Sequence, residues 1–182
     1  MAKLFFADTT VLINFALLDR MDLLGRLSNG RAAWTAAIRR ECRDSADVLD
    51  NDRLRRAGEI FGTPVRITDP RTVRETLLLL DQLRTPHDPA EKHRGEAETI
   101  ALIAVEHVES LFVTDDADAR TRAKERGIRS VSTCQLLRLA IRIGALTAHD
   151  AWAAVCDLRR RGRTLHDSPR EESTYMQWAR AA

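Results

Sequence analysis

The chain has 182 residues, of which 44% are hydrophobic and 31% charged, with a formal net charge of +2. This length implies one domain with a real core and room for a small appendage, and the mixed-sign surface does not by itself point to nucleic acid. The three cysteines, Cys42, Cys134 and Cys156, have no CxxC or Cys/His spacing, which argues against structural zinc and for a reduced compartment. The apolar run at the start is too short for a signal peptide, and no stretch approaches a membrane span. The expectation is a soluble, cytoplasmic protein without a membrane partner.

Taken in order, Lys3 to Ala7 is a short apolar run that reads as a buried strand. Asp8 ends it, and Thr9 or Thr10 can cap a helix through Leu18 that is apolar nearly all round except at Asn14. Met21 to Leu27 continues as a second helix, stopped at Asn29-Gly30. Ala32 to Thr35 reads as a short strand, Thr35 to Cys42 as a helical turn ending at Glu41, and Asp44 to Asp52 as a polar loop. A helix over Leu54–Phe61 follows, then a strand at Val65–Ile67. Thr68 or Asp69 with Pro70 opens a helix to about Leu83.

The stretch from Gly95 to Arg120 is the most informative. It reads as a helix from about Glu96 to Val108, apolar on most sides and so buried, then a strand at Leu111–Thr114. Carboxylates sit at both breaks: Glu96 and Glu98 at the helix start, and Asp115, Asp116 and Asp118 past the strand. A helix over Ala119–Arg126, a strand at Ile128–Val131 and a helix capped by Ser132 or Thr133 come next. Thr147 caps a last clear helix that ends in the arginines Arg159–Arg163. Beyond His166 the tail is polar until Tyr175, Met176 and Trp178, which suggest a short docking helix.

Short apolar strands alternating with helices predict an α/β fold with a parallel sheet flanked by helices. In such sheets, sites form outside the C-terminal strand ends near a topological switch point. Asp8 and the Asp115/Asp116 pair both occupy such ends. Converging carboxylates without His or Cys make a hard, oxygen-rich site suited to magnesium or manganese, and a bound divalent cation is one compensation for the cost of burying acids. A cation held this way suits in-line phosphodiester hydrolysis. Each acid also has a plainer reading, Asp8 as a helix cap and Glu41 as a solvated partner of Arg39, Arg40 or Arg43.

The pieces ADTTVLINF (Ala7–Phe15), the Glu41 region, GEAETIAL (Gly95–Leu102), VTDDADAR (Val113–Arg120) and AKERGI (Ala123–Ile128) together resemble the PIN-domain ribonucleases. That family includes many VapC-like toxins of bacterial toxin–antitoxin pairs. The resemblance implies a three-layer α/β/α fold with a short-stranded central parallel sheet. It spans residues 1–146 as a PIN domain, leaving 147–182 as a helical extension packed on the domain or on a partner. It assigns catalytic roles to Asp8, Glu41, Glu96 and Asp116, with Asp8, Glu96 and Asp116 as ligands of Mg2+ or Mn2+. Thr10 matches a position that orients a site carboxylate or water.

Glu98 competes with Glu96, but about 200° of helix separates them and only one can face the site. Asp115 competes with Asp116, which fits the family's Thr-x-Asp pattern from Thr114. The implied partners are an RNA substrate, a small antitoxin and a second copy in a homodimer. The alternatives are an inactive PIN-like module that binds RNA or a partner, and a structure-specific DNA nuclease. Candidate phosphate contacts are Arg159–Arg163, Arg120, Arg122, and Lys92 with Arg94. The arginine run equally suits a solvated helix end, where it complements the helix dipole.

Overall fold

The structure, a computed structural model, describes residues 3–180. Residues 1–2 and 181–182, the outer ends of the expected 1–146 and 147–182 segments, lie outside it. The described elements run β1 (Phe5–Ala7), α1 (Thr9–Leu17), α2 (Met21–Ser28), β2 (Ala32–Ala33), α3 (Ala36–Val48), α4 (Asp52–Arg55) and α5 (Ala57–Phe61). They continue with α6 (Pro70–Leu83), α7 (Arg94–Glu106), β3 (Leu111–Val113), α8 (Ala117–Glu125), β4 (Ser130–Val131), α9 (Thr133–Arg142), α10 (Ala148–Arg160) and α11 (Glu172–Arg180).

The sheet has four strands in the order β2-β1-β3-β4, all parallel. Phe5, Phe6 and Ala7 pair with Leu111, Phe112 and Val113. The chain leaves β1 for β2 on one side and later returns to β3 on the other. The gap between the ends of β1 and β3 is therefore the switch point of the sheet.

Strand alternation divides the core in two. Phe5, Ala7 and Val113 pack with Val11, Leu12 and Phe15 of α1, Leu23 and Leu24 of α2, and Leu136 and Ala140 of α9. Phe6 and Phe112 pack on the opposite face with Leu79 and Leu80 of α6, Ile100 and Leu102 of α7, and Ala119 and Ala123 of α8. The result is the expected α/β/α arrangement around a short-stranded parallel sheet. Cys134 and Leu137 on the outer side of α9 meet Ala151 and Val155 of α10 and Tyr175 and Ala179 of α11. The terminal helix thus docks on this chain.

Several local expectations are corrected. Asp8 itself, not Thr9 or Thr10, caps α1, accepting from the Thr9 and Thr10 N–H groups. The expected loop at Asp44–Asp52 is largely helix, because α3 runs to Val48. Its buried residues are Ala37 and Ile38 in the first turn and then only Cys42 and Ala46, one per turn, hidden among charges in the sequence. Val65–Ile67 forms no strand; Val65 makes a single bridge to Thr35. The helix expected over Leu54–Phe61 is divided at Arg56 into α4 and α5.

Tyr175 shows what the outer layer contributes. It is fully buried, with its ring centroid 5.1 Å from Trp152 and 5.4 Å from Trp178. Its hydroxyl is buried without a hydrogen-bond partner. Tyr175→Ala should cost about 3–5 kcal/mol in denaturant unfolding, by analogy with other large aromatic deletions. Tyr175→Phe should be neutral or mildly stabilising, since it removes an unpaired polar atom.

Candidate metal centre at the strand ends

Asp8 lies at the end of β1 and is 1% exposed. Its Oδ1 accepts from the Thr9 N–H (2.7 Å). Its Oδ2 accepts from the hydroxyls of Thr10 (2.5 Å) and Thr114 (3.0 Å). The Thr10 hydroxyl thus holds the Asp8 carboxylate. Burial pushes the Asp8 carboxyl above its usual range, against the pull of these hydrogen bonds.

Glu41 arrives from α3. Its Oε2 accepts from the Thr9 hydroxyl (3.0 Å) and its Oε1 from the Gly95 N–H (3.1 Å). Burial, and next the Asp8 charge, raise its pKa. Glu96 lies in the first turn of α7. Burial first, then the Asp8 charge, push its pKa up to about 8, with Glu41 and Asp116 adding to the shift. Oxygens of Asp8, Glu41 and Glu96 all lie within 4.8 Å of one another.

Asp116 is not in that 4.8 Å group. It sits at the rim as N-cap of α8, with Oδ1 accepting from the Ala119 N–H (2.7 Å), and its charge still acts on Glu96. Glu98 faces elsewhere. It accepts from the Arg94 guanidinium (3.0 Å) and from the Ala37 N–H (3.4 Å) in the first turn of α3. Asp115 is buried beneath the site and bound by Asn14 (2.9 Å) and by the N–H (3.1 Å) and hydroxyl of Thr133. The geometry therefore brings Asp8, Glu41 and Glu96 together, sets Asp116 beside them, and turns Glu98 and Asp115 to structural partners.

Sequence reasoning missed several groups that build this site. Thr9 and Thr114 supply hydroxyls to Glu41 and Asp8. His93, at a left-handed φ of 62°, places Nδ1 3.7 Å from Glu96 Oε1. Gly95 leaves room for a close approach: a Cβ there would lie 2.4 Å from Ile38 Cδ1 and 2.8 Å from both Glu41 carboxylate oxygens, so these side-chain ends would have to move. Only the GEAE pattern hints at this glycine. Gly95→Ala should therefore push Glu41 out of the cluster. Its denaturant midpoint should fall by the equivalent of about 1–3 kcal/mol, as for other overpacked sites. Divalent-cation affinity of the folded protein should drop in the same variant.

The donor set fits a hard divalent cation, being all carboxylate oxygen with no nitrogen or sulfur. One further observation favours it. Glu96, a member of the cluster, has its Oε2 buried without a hydrogen-bond partner, a polar atom left for a ligand to satisfy.

A parallel α/β sheet with acids gathered at its switch point is a scaffold suited to metal-assisted chemistry on phosphate esters. A family model described as PIN domain (DUF3368) matches residues 4–174, and the chain belongs to the PIN-domain family. PIN domains are generally nucleases and typically use divalent metals. Comparison with curated proteins and with solved structures gave no match. Among the described residues, no helix is long and apolar enough to cross a membrane.

Proposed function

We propose that this PIN domain is a Mg2+- or Mn2+-dependent endoribonuclease and the cytoplasmic toxin of a toxin–antitoxin pair. The meeting of Asp8, Glu41 and Glu96 oxygens within 4.8 Å, with Glu96 Oε2 unpartnered, carries the reading. Asp8, Glu41 and Glu96 would hold the cation, with Asp116 beside them as a further ligand. When bound, the cation activates water and stabilises charge on the phosphate. The chain's own residues do the rest. The threonine hydroxyls fix Asp8, α3 and α7 fix the two glutamates, and Glu96, its pKa raised, holds a proton that an incoming cation would displace.

A small antitoxin and a homodimer are part of this proposal, as is the helical extension 147–182 as an addition to a PIN core. An acid at each of the four expected positions speaks against an inactive module.

The test is cleavage of RNA and of flap DNA by purified protein with Mg2+, comparing wild type with Asp8→Asn and Asp116→Asn. RNA cleavage by wild type and its loss in both variants is expected. Equal activity in all three, or activity on flap DNA alone, would contradict the proposal.

A further inference from the structure

The segment after α10 reaches back to the site. Arg163 follows the helix end, held there by its N–H to the Leu158 carbonyl (3.0 Å). Its Nε donates to Asn14 Oδ1 (2.7 Å) and its Nη2 to the Thr10 carbonyl (3.3 Å). Asn14 is fully buried in α1. Its Nδ2 donates to Asp115 (2.9 Å) and to the Thr133 hydroxyl (3.1 Å). The Asp115 N–H in turn meets the Thr10 hydroxyl (3.4 Å), which donates to Asp8.

A second arm runs through the same segment. Asp167, at a left-handed φ of 60°, pairs with Arg120 (2.9 Å), and Arg120 reaches the Thr114 carbonyl (3.4 Å). The Thr114 hydroxyl is the other donor to Asp8 Oδ2. Arg159 ties the segment down through the carbonyls of Ser168 (3.2 Å) and Pro169 (2.9 Å).

We propose that Arg163 is a positioning residue of the site. It acts through Asn14 and Thr10 to lock the start of α1 to the exit of β3 and so to fix the Asp8 carboxylate. The inference rests on the metal-site reading above. The direction of the Asn14 amide is decisive. With Arg163 donating to Oδ1, the amide hydrogens must face Asp115 and Thr133, both acceptors there. Without Arg163, Asn14 Oδ1 becomes a buried acceptor with no donor, and the amide loses its reason to keep that orientation. The Arg120–Asp167 pair is more exposed and so the weaker arm, because exposed ion pairs add little. Arg163 is one of the four arginines of the 159–163 run expected as phosphate contacts; here its guanidinium is engaged inward.

The experiment uses the full chain with Arg163→Met, which keeps the apolar stem and removes the donors, and Arg163→Lys, which reaches one acceptor at most. Mn2+ affinity is measured by calorimetric titration, with kcat and KM for RNA cleavage alongside. Arg163→Met should weaken Mn2+ binding and lower kcat by about 10–100-fold, the range seen when a group supporting a metal ligand is lost. KM and its salt dependence should stay near wild type, and Arg163→Lys should recover part of the loss. Should Arg163→Met not fold, Arg163→Lys alone is expected to show a several-fold loss.

A metal-free arm separates this inference from the nuclease reading. The Asp115 backbone amide should exchange with solvent faster in the variant without any cation. Wild-type exchange, Mn2+ affinity and kcat in the variants would overturn the proposal. So would a change confined to KM with a shallower salt dependence, which would make Arg163 a phosphate contact instead. If wild type binds Mn2+ but cuts no RNA, the nuclease reading fails while the exchange and affinity comparisons still decide the role of Arg163.

Discussion

Asp8→Asn should lose activity without losing stability in the absence of metal. Removal of a group that merely supports a metal ligand costs about 10–100-fold, so loss of the most buried ligand should exceed about 100-fold in RNA cleavage. Stability should move the other way at alkaline pH. The Asp8 charge is the second cause, after burial, of the raised pKa of both Glu41 and Glu96. Removing it relieves both neighbours. Asparagine retains the side-chain oxygen that caps α1, but its amide nitrogen stands where Oδ2 accepts from the Thr10 and Thr114 hydroxyls, which offsets part of this gain. Thermal unfolding at pH 8 without divalent cation should therefore show a midpoint close to or above that of wild type. A variant inactive because it is unfolded would show the opposite.

The second expected result is a fall in metal-free stability as pH rises from about 5 to 8. Glu96 has its pKa raised from 4.5 to about 8 in the folded protein. The folded state therefore holds this proton where the unfolded chain has released it. Its contribution is fully present below the unfolded pKa and is lost progressively as pH rises through the folded value. Asp8 and Glu41 are shifted in the same direction by the same first cause, burial. His93 and Asp116 also face the group and set the local charge. At roughly 1.4 kcal/mol per pH unit, Glu96 alone accounts for a few kcal/mol, a shift on the order of 10 °C for a chain this size. Millimolar Mn2+ should reverse most of this at pH 8 and little at pH 5, since it binds the ionised folded form. Glu96→Gln should flatten the pH dependence. Differential scanning fluorimetry across pH, with and without Mn2+, measures all of these.

What could be read from residues alone divides along physical lines. The path from α7 through β3 to α8 was legible because Ile100 to Val105 and Leu111 to Val113 are continuous apolar runs with acids at their breaks. Asp8 and the Asp115/Asp116 pair could be gathered in advance because parallel sheets put strand ends together, whereas Glu41 and Glu96, both on helices, came only with the resemblance to PIN-domain ribonucleases. The C-terminal half of α3 was not legible, since its buried face is one side chain per turn among charges. Helical angle left room for only one of Glu96 and Glu98 at the site, but the hold of Glu98 on the start of α3 depends on a contact between residues 61 positions apart. Gly95 and Arg163 share that difficulty. The first leaves room for side-chain ends of α3, and the second meets an asparagine 149 positions away. Asn14 was visible only as a polar residue in an apolar helix, with no sign of which carboxylate it served.

The central claim is that buried carboxylates at the β1–β3 switch point form a divalent-cation site. A calorimetric titration of Mn2+ into the metal-free protein at pH 7.5, in two buffers of different ionisation enthalpy, tests it most directly. One binding event is expected, with a buffer-dependent heat because Glu96 gives up its proton as the cation enters. Both the event and its proton release should be lost or greatly weakened in Glu96→Gln. Absence of binding in wild type, or binding unchanged in Glu96→Gln, would contradict the claim.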